Sequence, residues 1–411
     1  MARRGGGAGC ALAVLALIAA AVLGVSYKFG LLWWKKQPPP PSGKEMQVHV
    51  LDVGQGDSIL IVSPEGKVVL VDAGDEKNGK TVVDALRRYN VQQIDYFIAT
   101  HMHPDHIGGA AEVFSNFKVA NILWNDFPPP EAVEDEAAAA NQNSNQKQGK
   151  NQGKNQVQGK AQAQAKSQPK PPMRRGKVVK LPTVEAYEDF KAAVEQSGAK
   201  FDKAVPDQVI DLGGGASLTV IGPTQPLFTR EQIVSSRKGN ESNANSVVAR
   251  LVYGDFSMLL PGDAEEQSED RLVGKETSLE ANVLKVAHHG SKYATSENFL
   301  KRVFHREDAQ PKAAIISLSE FNRYGHPSQD VLNRLKAAGV TQLFRTDLQG
   351  EITITTTGKA KDGKLYEIKA AKETKTDVWA GREGTKDDSS RSGFITYGDY
   401  EPPRRQKAAK K

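Results

Sequence analysis

From Met46 onward the chain reads as short apolar runs punctuated by turn residues. "MQVHVLDV", "DSILIVS" and "KVVLVDAG" are rich in Val, Ile and Leu, with "GQG" and "PEG" between them, a pattern that predicts three strands of an antiparallel or mixed sheet. The spacing then lengthens. In "NGKTVVDALRRYN" the positions Val82, Val83, Leu86 and Tyr89 repeat with helical period, and "QQIDYFIAT" returns to strand. Beyond residue 180 the same alternation resumes: a helix in "TVEAYEDFKAAVEQSG", strands in "ASLTVIGP", "SVVARLVYGDFSMLLPGDAE", "NVLKVAHHGS" and "AAIISLS", a helix in "SQDVLNRLKAAG", and closing strands in "QLFRT" and "GEITITTTG". The pair "VVARLVY" and "FSMLLP" flanks Gly254-Asp255, a strong hairpin signal. Mixed β and α elements of this kind predict an α/β domain over residues 46–370.

Two regions break the pattern. Residues 131–177 are rich in Asn, Gln, Lys and Ala with few large apolar residues, so ordering them has no core to offset it, and a disordered insert is expected. Between Asn141 and Lys180 there are ten Lys and Arg residues and no acid; a solubilising loop is the expected reading, with a phosphate-contacting surface as the alternative. At the other extreme, "CALAVLALIAAAVLGVSY" carries no charge and predicts a single membrane-spanning helix within residues 1–45, followed by the Pro-rich spacer "KKQPPPPSGK". Arg3 and Arg4 would keep the N-terminus cytoplasmic, which places the domain outside the cytoplasm. Lys28, Lys35 and Lys36 favour the reverse orientation, and Ala19 and Ala21 fit a cleaved signal peptide that would release the protein. Residues 371–411 lack periodicity and read as a flexible basic tail.

The composition adds two constraints. Of 411 residues, 38% are hydrophobic and 25% charged, the balance of a soluble globular domain with polar additions, and the net charge of +6 lies largely in the irregular segments. The single cysteine, Cys10, excludes an internal disulfide framework and a thiolate metal cluster. A metal site in this chain is built from nitrogen and oxygen.

The eight histidines are unevenly spread, and three stand within "HMHPDH" directly after the apolar run "IDYFIA". Imidazole and carboxylate at this density at a strand end suit divalent metals. In an extended loop His101 and His103 project the same way and grip one cation, while Asp105 and His106 turn toward a second. Asp263, on a glycine turn after an apolar strand, is placed to bridge the two. His288 or His289 completes the second site; neighbours on a strand point oppositely, so one of the pair is expected to face the metals. Together these residues make a two-metal hydrolase arrangement, with a water activated to hydroxide as nucleophile.

"THMHPDHIGG", "VLVDAG" and "LLPGDAE" resemble the motifs of the metallo-β-lactamase superfamily. More narrowly, "LDVGQGDSILI", "LKVAHHGS" and "NRYGHPS" resemble the hydrolase domain of ComEC-type competence proteins, over about Met46 to Gly358 with the insert interrupting. The resemblance implies an αββα four-layer sandwich holding two divalent ions, with Zn²⁺ placed ahead of Mn²⁺ or Mg²⁺. It implies metal ligands at His101, His103, Asp105, His106, Asp263 and one of His288 and His289, with Asp72 as a structural aspartate beside them. It implies phosphodiester hydrolysis, with nucleic acid as a substrate; no obligate protein partner is expected. His326 is then a catalytic or phosphate-contacting residue, and Ser291, Asn322, Arg323 and Tyr324 are candidate substrate donors. No histidine lies between His106 and His288, so Asn243, Asn245 or Ser246 stands where many superfamily members carry another ligand. Asp57 and Gln55, in "DVGQGD", lie near the sheet edge. The alternatives are hydrolysis of another bond, such as a β-lactam, a thioester or a phosphocholine ester, and a metal-binding scaffold without catalysis.

Overall fold

The computed structural model describes residues 44–129, 132, 181–229, 232, 241–305 and 311–382. The expected membrane helix, the bulk of the insert and the end of the tail lie outside the described residues. Among the described residues no helix is long and apolar enough to cross a membrane.

The first half of the chain supplies β1 (Met46–Val50), β2 (Ile59–Val62), β3 (Val68–Val71), β4 (Gln93–Ile98), β5 (Lys118–Trp124) and β6 (Lys200–Lys203). The second half supplies β7 (Val209–Gly213), β8 (Ala216–Gly222), β9 (Val248–Tyr253), β10 (Phe256–Leu260), β11 (Val283–Lys285), β12 (Ala313–Ile316), β13 (Gln342–Arg345), β14 (Ile352–Lys361) and β15 (Lys364–Ala370). They form an eight-stranded sheet in the order β15-β14-β1-β2-β3-β4-β5-β6 and a seven-stranded sheet in the order β13-β12-β11-β10-β9-β8-β7. Both are mixed: β3 to β6 run parallel in one, and β10 to β13 in the other.

Strand alternation sorts side chains into three layers. Val48, Val50, Ile59, Ile61, Val69 and Val71 meet Leu251, Met258, Leu260 and Ile315 in a core between the sheets. The intervening residues Leu60, Leu70 and Phe97 face outward under the helices Gly79–Arg88, Ala110–Asn116 and Pro182–Ser197, through Val82, Leu86, Val113 and Phe190. On the far side Leu259, Leu284 and Ile316 pack beneath Glu266–Val273, Glu297–Val303 and Gln329–Ala337. Strands buried on both faces read as continuous apolar runs, which is why "VVLV", "FSMLL" and "AAII" show no polar alternation. The result is an αββα sandwich of two mixed sheets. The hairpin at Gly254-Asp255 closes β9 onto β10, pairing Phe256 with Tyr253.

The chain after β15 does not leave the domain at once. Arg345 donates to the carbonyls of Val378 and Ala380, Arg382 pairs with the buried Asp347, and the Arg382 amide donates to Pro327. Residues 371 and 372 stay bonded to Glu351 and Gln349 and residues 378–382 lie beside the loop that carries His326, whereas the aperiodic sequence after Lys372 predicts a free tail from residue 371. The contacts are tertiary and leave no periodicity in the sequence.

Candidate metal centre

The residues singled out for metal chemistry converge where the parallel strands of both sheets end, the usual place for a site in an open α/β sheet. Asp72 follows β3, and His101, His103, Asp105 and His106 follow β4. Asp263 follows β10, and His288 and His289 follow β11. Six of the eight histidines gather here, His49 and His305 lying elsewhere.

Asp72 takes a left-handed backbone (φ 58°) that turns its carboxylate back beneath the loop. It accepts hydrogen bonds from the Thr100 amide at 2.8 Å and the Thr100 hydroxyl at 2.7 Å, and pairs with His106 Nδ1 at 2.7 Å. With Nδ1 engaged, His106 Nε2 faces Asp263 Oδ2 at 3.3 Å. His101 Nε2 lies 2.9 Å from His103 Nδ1 and 3.7 Å from Asp263 Oδ2. Pro104 begins a short turn of helix, Pro104–Ile107, with His103 as its N-cap. Gly56 packs on that turn so closely that a Cβ there would stand 2.1 Å from the Asp105 carbonyl, and the neighbouring Asp57 amide donates to the same oxygen. The backbone geometry accounts for the second glycine of "GQG".

His288 and His289 are not on a strand. β11 ends at Lys285, and both histidines occupy a left-handed turn (φ 47° and 53°), so they diverge by backbone twist and not by strand alternation. His289 is 1% exposed; its Nδ1 donates to the Ser317 carbonyl at 2.9 Å, which leaves Nε2 facing Asp105 Oδ2 at 3.5 Å and Asp263 Oδ1 at 3.6 Å. His288 is the outer of the two: Glu265 Oε1 lies 3.3 Å from its Nδ1, and its Nε2 is 3.8 Å from Asp263 Oδ2.

Among the described residues four sets of donor atoms emerge, in each of which the atoms lie within 4.8 Å of one another: His101, His106 and Asp263; Asp105, His106 and His289; Asp57, Asp263 and His289; and Asp57, Asp72 and His106. His106 thus faces His101 as well as Asp105, so the motif does not divide into one pair of ligands per cation as the linear spacing suggests. Buried polar atoms point into the middle of the cluster without a hydrogen bond: His106 Nε2, His289 Nε2, Asp105 Oδ1 and Asp263 Oδ1. A buried polar atom left unpaired is costly, and converging imidazole and carboxylate atoms in that condition fit divalent cations.

The electrostatics agree with this. Burial alone pushes His106 down, yet Asp263 and Asp72 outweigh it and hold the imidazole well above its ordinary range. Burial likewise pushes Asp263 up, and His106, His289 and His288 reverse the direction and hold the carboxylate well below its usual range. His103 is pushed down to about 4 by burial, so it is a neutral nitrogen donor at physiological pH.

The remaining expected residues separate. Asn245 is used structurally: it exchanges hydrogen bonds with the Phe228 backbone, and its carbonyl accepts from Asn125. Asn243 turns toward the outer side of the centre, with Nδ2 3.1 Å from Glu265 Oε1 and a buried Oδ1 lacking a partner. Ser246 Oγ accepts the Asp263 amide at 3.3 Å. Ser291 is buried and its Oγ accepts the Tyr293 amide within its own turn. Asn322 spends both ends of its amide inside its loop, on the Ser319 and His326 carbonyls and the His326 amide. Arg323 is exposed beside Tyr324, and His326 lies with its ring 5.6 Å from that of His288. Glu265, Lys285 and Thr100 complete the cluster without a motif of their own. Lys285 is wholly buried and pairs with Asp57 at 2.8 Å; its signal in the sequence is a charge inside the apolar run "VLKVA".

Residues 51–124 match the sequence profile of the Metallo-beta-lactamase superfamily. The chain is 26% identical over 325 residues to ComE operon protein 3 of Bacillus subtilis, covering 75% of this chain and 33% of that protein. It is 39% identical over 119 residues to competence protein ComA of Neisseria gonorrhoeae, covering 29% of this chain and 16% of that one. The chain thus spans a third or less of the length of these relatives. Among solved structures, Zn²⁺-bound PqqB from Methylobacterium extorquens aligns with 72% of this chain and 98% of its own, at 11% identity and a TM-score of 0.37. The match over residues 51–124, the similarity to the ComEC-type competence proteins and the converging histidines and aspartates together support a metal-dependent hydrolase of the metallo-β-lactamase type.

Proposed function

We propose that the protein is a phosphodiesterase acting on nucleic acid, carried on an N-terminal membrane anchor with its catalytic domain outside the cytoplasm. The anchor rests on the uncharged run after Cys10, and the substrate class on the groups that border the metal centre. Two divalent cations, Zn²⁺ ahead of Mn²⁺ or Mg²⁺, would be held by His101, His103, Asp105, His106, Asp263 and His289. When bound, such cations acidify water and neutralise charge on a phosphoryl group. This chain's own residues do the rest. Asp72 and the Ser317 carbonyl each engage one ring nitrogen of a histidine and thereby aim the other, His106 Nε2 and His289 Nε2, inward.

The observation that carries the phosphodiester reading is the border itself. His288, backed by Glu265, sits at the open side of the cluster with 23% of its side chain exposed, and the exposed guanidinium of Arg323 lies on the loop of His326. An imidazole and a guanidinium are hydrogen-bond donors suited to the anionic oxygens of a phosphodiester.

The test is hydrolysis of bis(p-nitrophenyl) phosphate and of single- and double-stranded DNA by the full chain, stripped with chelator and refilled with Zn²⁺, Mn²⁺ or Mg²⁺. Turnover is expected with at least one ion and its loss in Asp263→Ala. If no phosphodiester is cleaved with any of the three ions, the reading is wrong.

A further inference from the structure

The geometry points to a base-stacking platform beside the metal centre, formed by Phe321 and the Tyr324–Arg323 pair, that selects single-stranded nucleic acid. This rests on the reading of the site as a nucleic-acid phosphodiesterase and deepens it.

Phe321 is 88% exposed, the most exposed large apolar side chain among the described residues. Its loop is tied down all round. The Phe321 amide donates to Ser319 Oγ at 3.2 Å, the Ser319 amide reaches Gln55 Oε1 at 3.5 Å, and Asn322 clamps both ends of the segment from Ser319 to His326. From the other side the Ser328 amide donates to the Gly290 carbonyl, joining this loop to the one that carries His288 and His289. At that junction a Cβ on Gly290 would meet Pro327 at 2.7 Å, so the two loops are in close contact. The phenyl ring is thus presented to solvent by a fixed turn.

Tyr324 and Arg323 connect to the chemistry ring by ring, and Phe321 stands on the same loop, three residues before Tyr324. His288 Nε2 is 3.8 Å from Asp263, and the His288 ring is 5.6 Å from the His326 ring. Tyr324 stacks on His326 at 5.5 Å with an interplanar angle of 25°, and the Arg323 guanidinium lies 5.4 Å from the centre of the Tyr324 ring. On the adjoining loop Lys292 lies 5.0 Å from the half-exposed Tyr293 ring. Aromatic faces paired with cations, leading away from a phosphate-cleaving centre, are what an unpaired strand uses: bases stack on rings while the backbone phosphates meet the cations. In a duplex the base faces already cover one another and are not offered to a protein ring. These residues lie on two loops about thirty positions apart, so the pairs form no continuous aromatic and basic motif in the sequence.

The experiment is fluorescence anisotropy with the full chain, in EDTA so that cleavage does not compete, using labelled dT12, a duplex of the same length, and an abasic strand with the same number of phosphates. dT12 is expected to bind more tightly than the abasic strand, and Phe321→Ala to weaken dT12 binding about tenfold while leaving the abasic strand unchanged. Phe321→Trp is expected to restore it. Equal affinity for dT12 and the abasic strand, or an unaltered Phe321→Ala variant, overturns the platform. The two readings fail separately. Cleavage of bis(p-nitrophenyl) phosphate without base-dependent binding refutes the platform alone. Base-dependent binding without cleavage of any phosphodiester refutes the phosphodiesterase and leaves the platform standing.

Discussion

His288 and His289 share a side-chain type, and the hydrogen bonds around them assign them different work. The Ser317 carbonyl takes the Nδ1 proton of His289 and leaves Nε2 for the cluster, whereas His288 is turned to Glu265 at the open side. His289→Ala is therefore expected to lower metal affinity by more than the roughly 10–100-fold that loss of a supporting partner costs. His288→Ala is expected to keep metal affinity within that range and to lose turnover instead. Chelator competition followed by steady-state kinetics separates the two, and equal loss of metal in both variants would contradict the assignment. The buried Lys285–Asp57 pair shows the same dependence on partners. Alone, a lysine in an apolar strand is costly, and beside a carboxylate at 2.8 Å it is compensated.

At the scale of elements, the helix Glu266–Val273 is fastened to the start of Glu297–Val303 by one carboxylate. Glu269 accepts the Thr295 amide at 2.5 Å and the Ser296 amide at 2.8 Å, and Ser296 itself caps the second helix. Burial pushes the Glu269 carboxyl up to about 7, the two amides opposing it only in part. Its ordinary value is 4.5, so between pH 4.5 and about 7 the folded chain holds a proton that the unfolded chain has released. Stability from this group is full below that window and falls as pH rises through it, by on the order of 3 kcal/mol. Urea denaturation of wild type and Glu269→Gln at pH 5 and pH 8 tests this. The wild type is expected to lose more stability than the variant over that interval, and parallel pH profiles would refute it.

For the whole molecule the centre is a seam between sheets. Asp72 and the His101–His106 loop come from the eight-stranded sheet, while Asp263 and His289 come from the seven-stranded one. A cation bound to both halves joins them, and a ligand that binds only the folded state stabilises it by mass action, about 2.7 kcal/mol at a hundredfold excess over Kd. Refilling the chelated protein with its working ion is expected to raise Tm by about 5 °C. The gain should vanish in Asp263→Ala, and an unchanged Tm with every ion would show that the cluster holds no metal.

Much of this was legible in the chain. Runs such as "VVLV" and "FSMLL" determine doubly buried strands, because a strand covered on both faces has no place for polar alternation. "HMHPDH" determines metal chemistry, because few other uses exist for three imidazoles and a carboxylate within six residues. What the tertiary structure decided is which neighbour does what. Asn245 is drawn onto the Phe228 backbone while Asn243 turns to Glu265, His289 rather than His288 turns inward, and Tyr324 stacks on His326, which meets His288 from another loop. Local patterning records the burial and period of a residue. Partners brought together by the folding of two sheets leave no local trace: the Phe228 backbone holds Asn245 and the Ser317 carbonyl holds His289, each from another part of the chain.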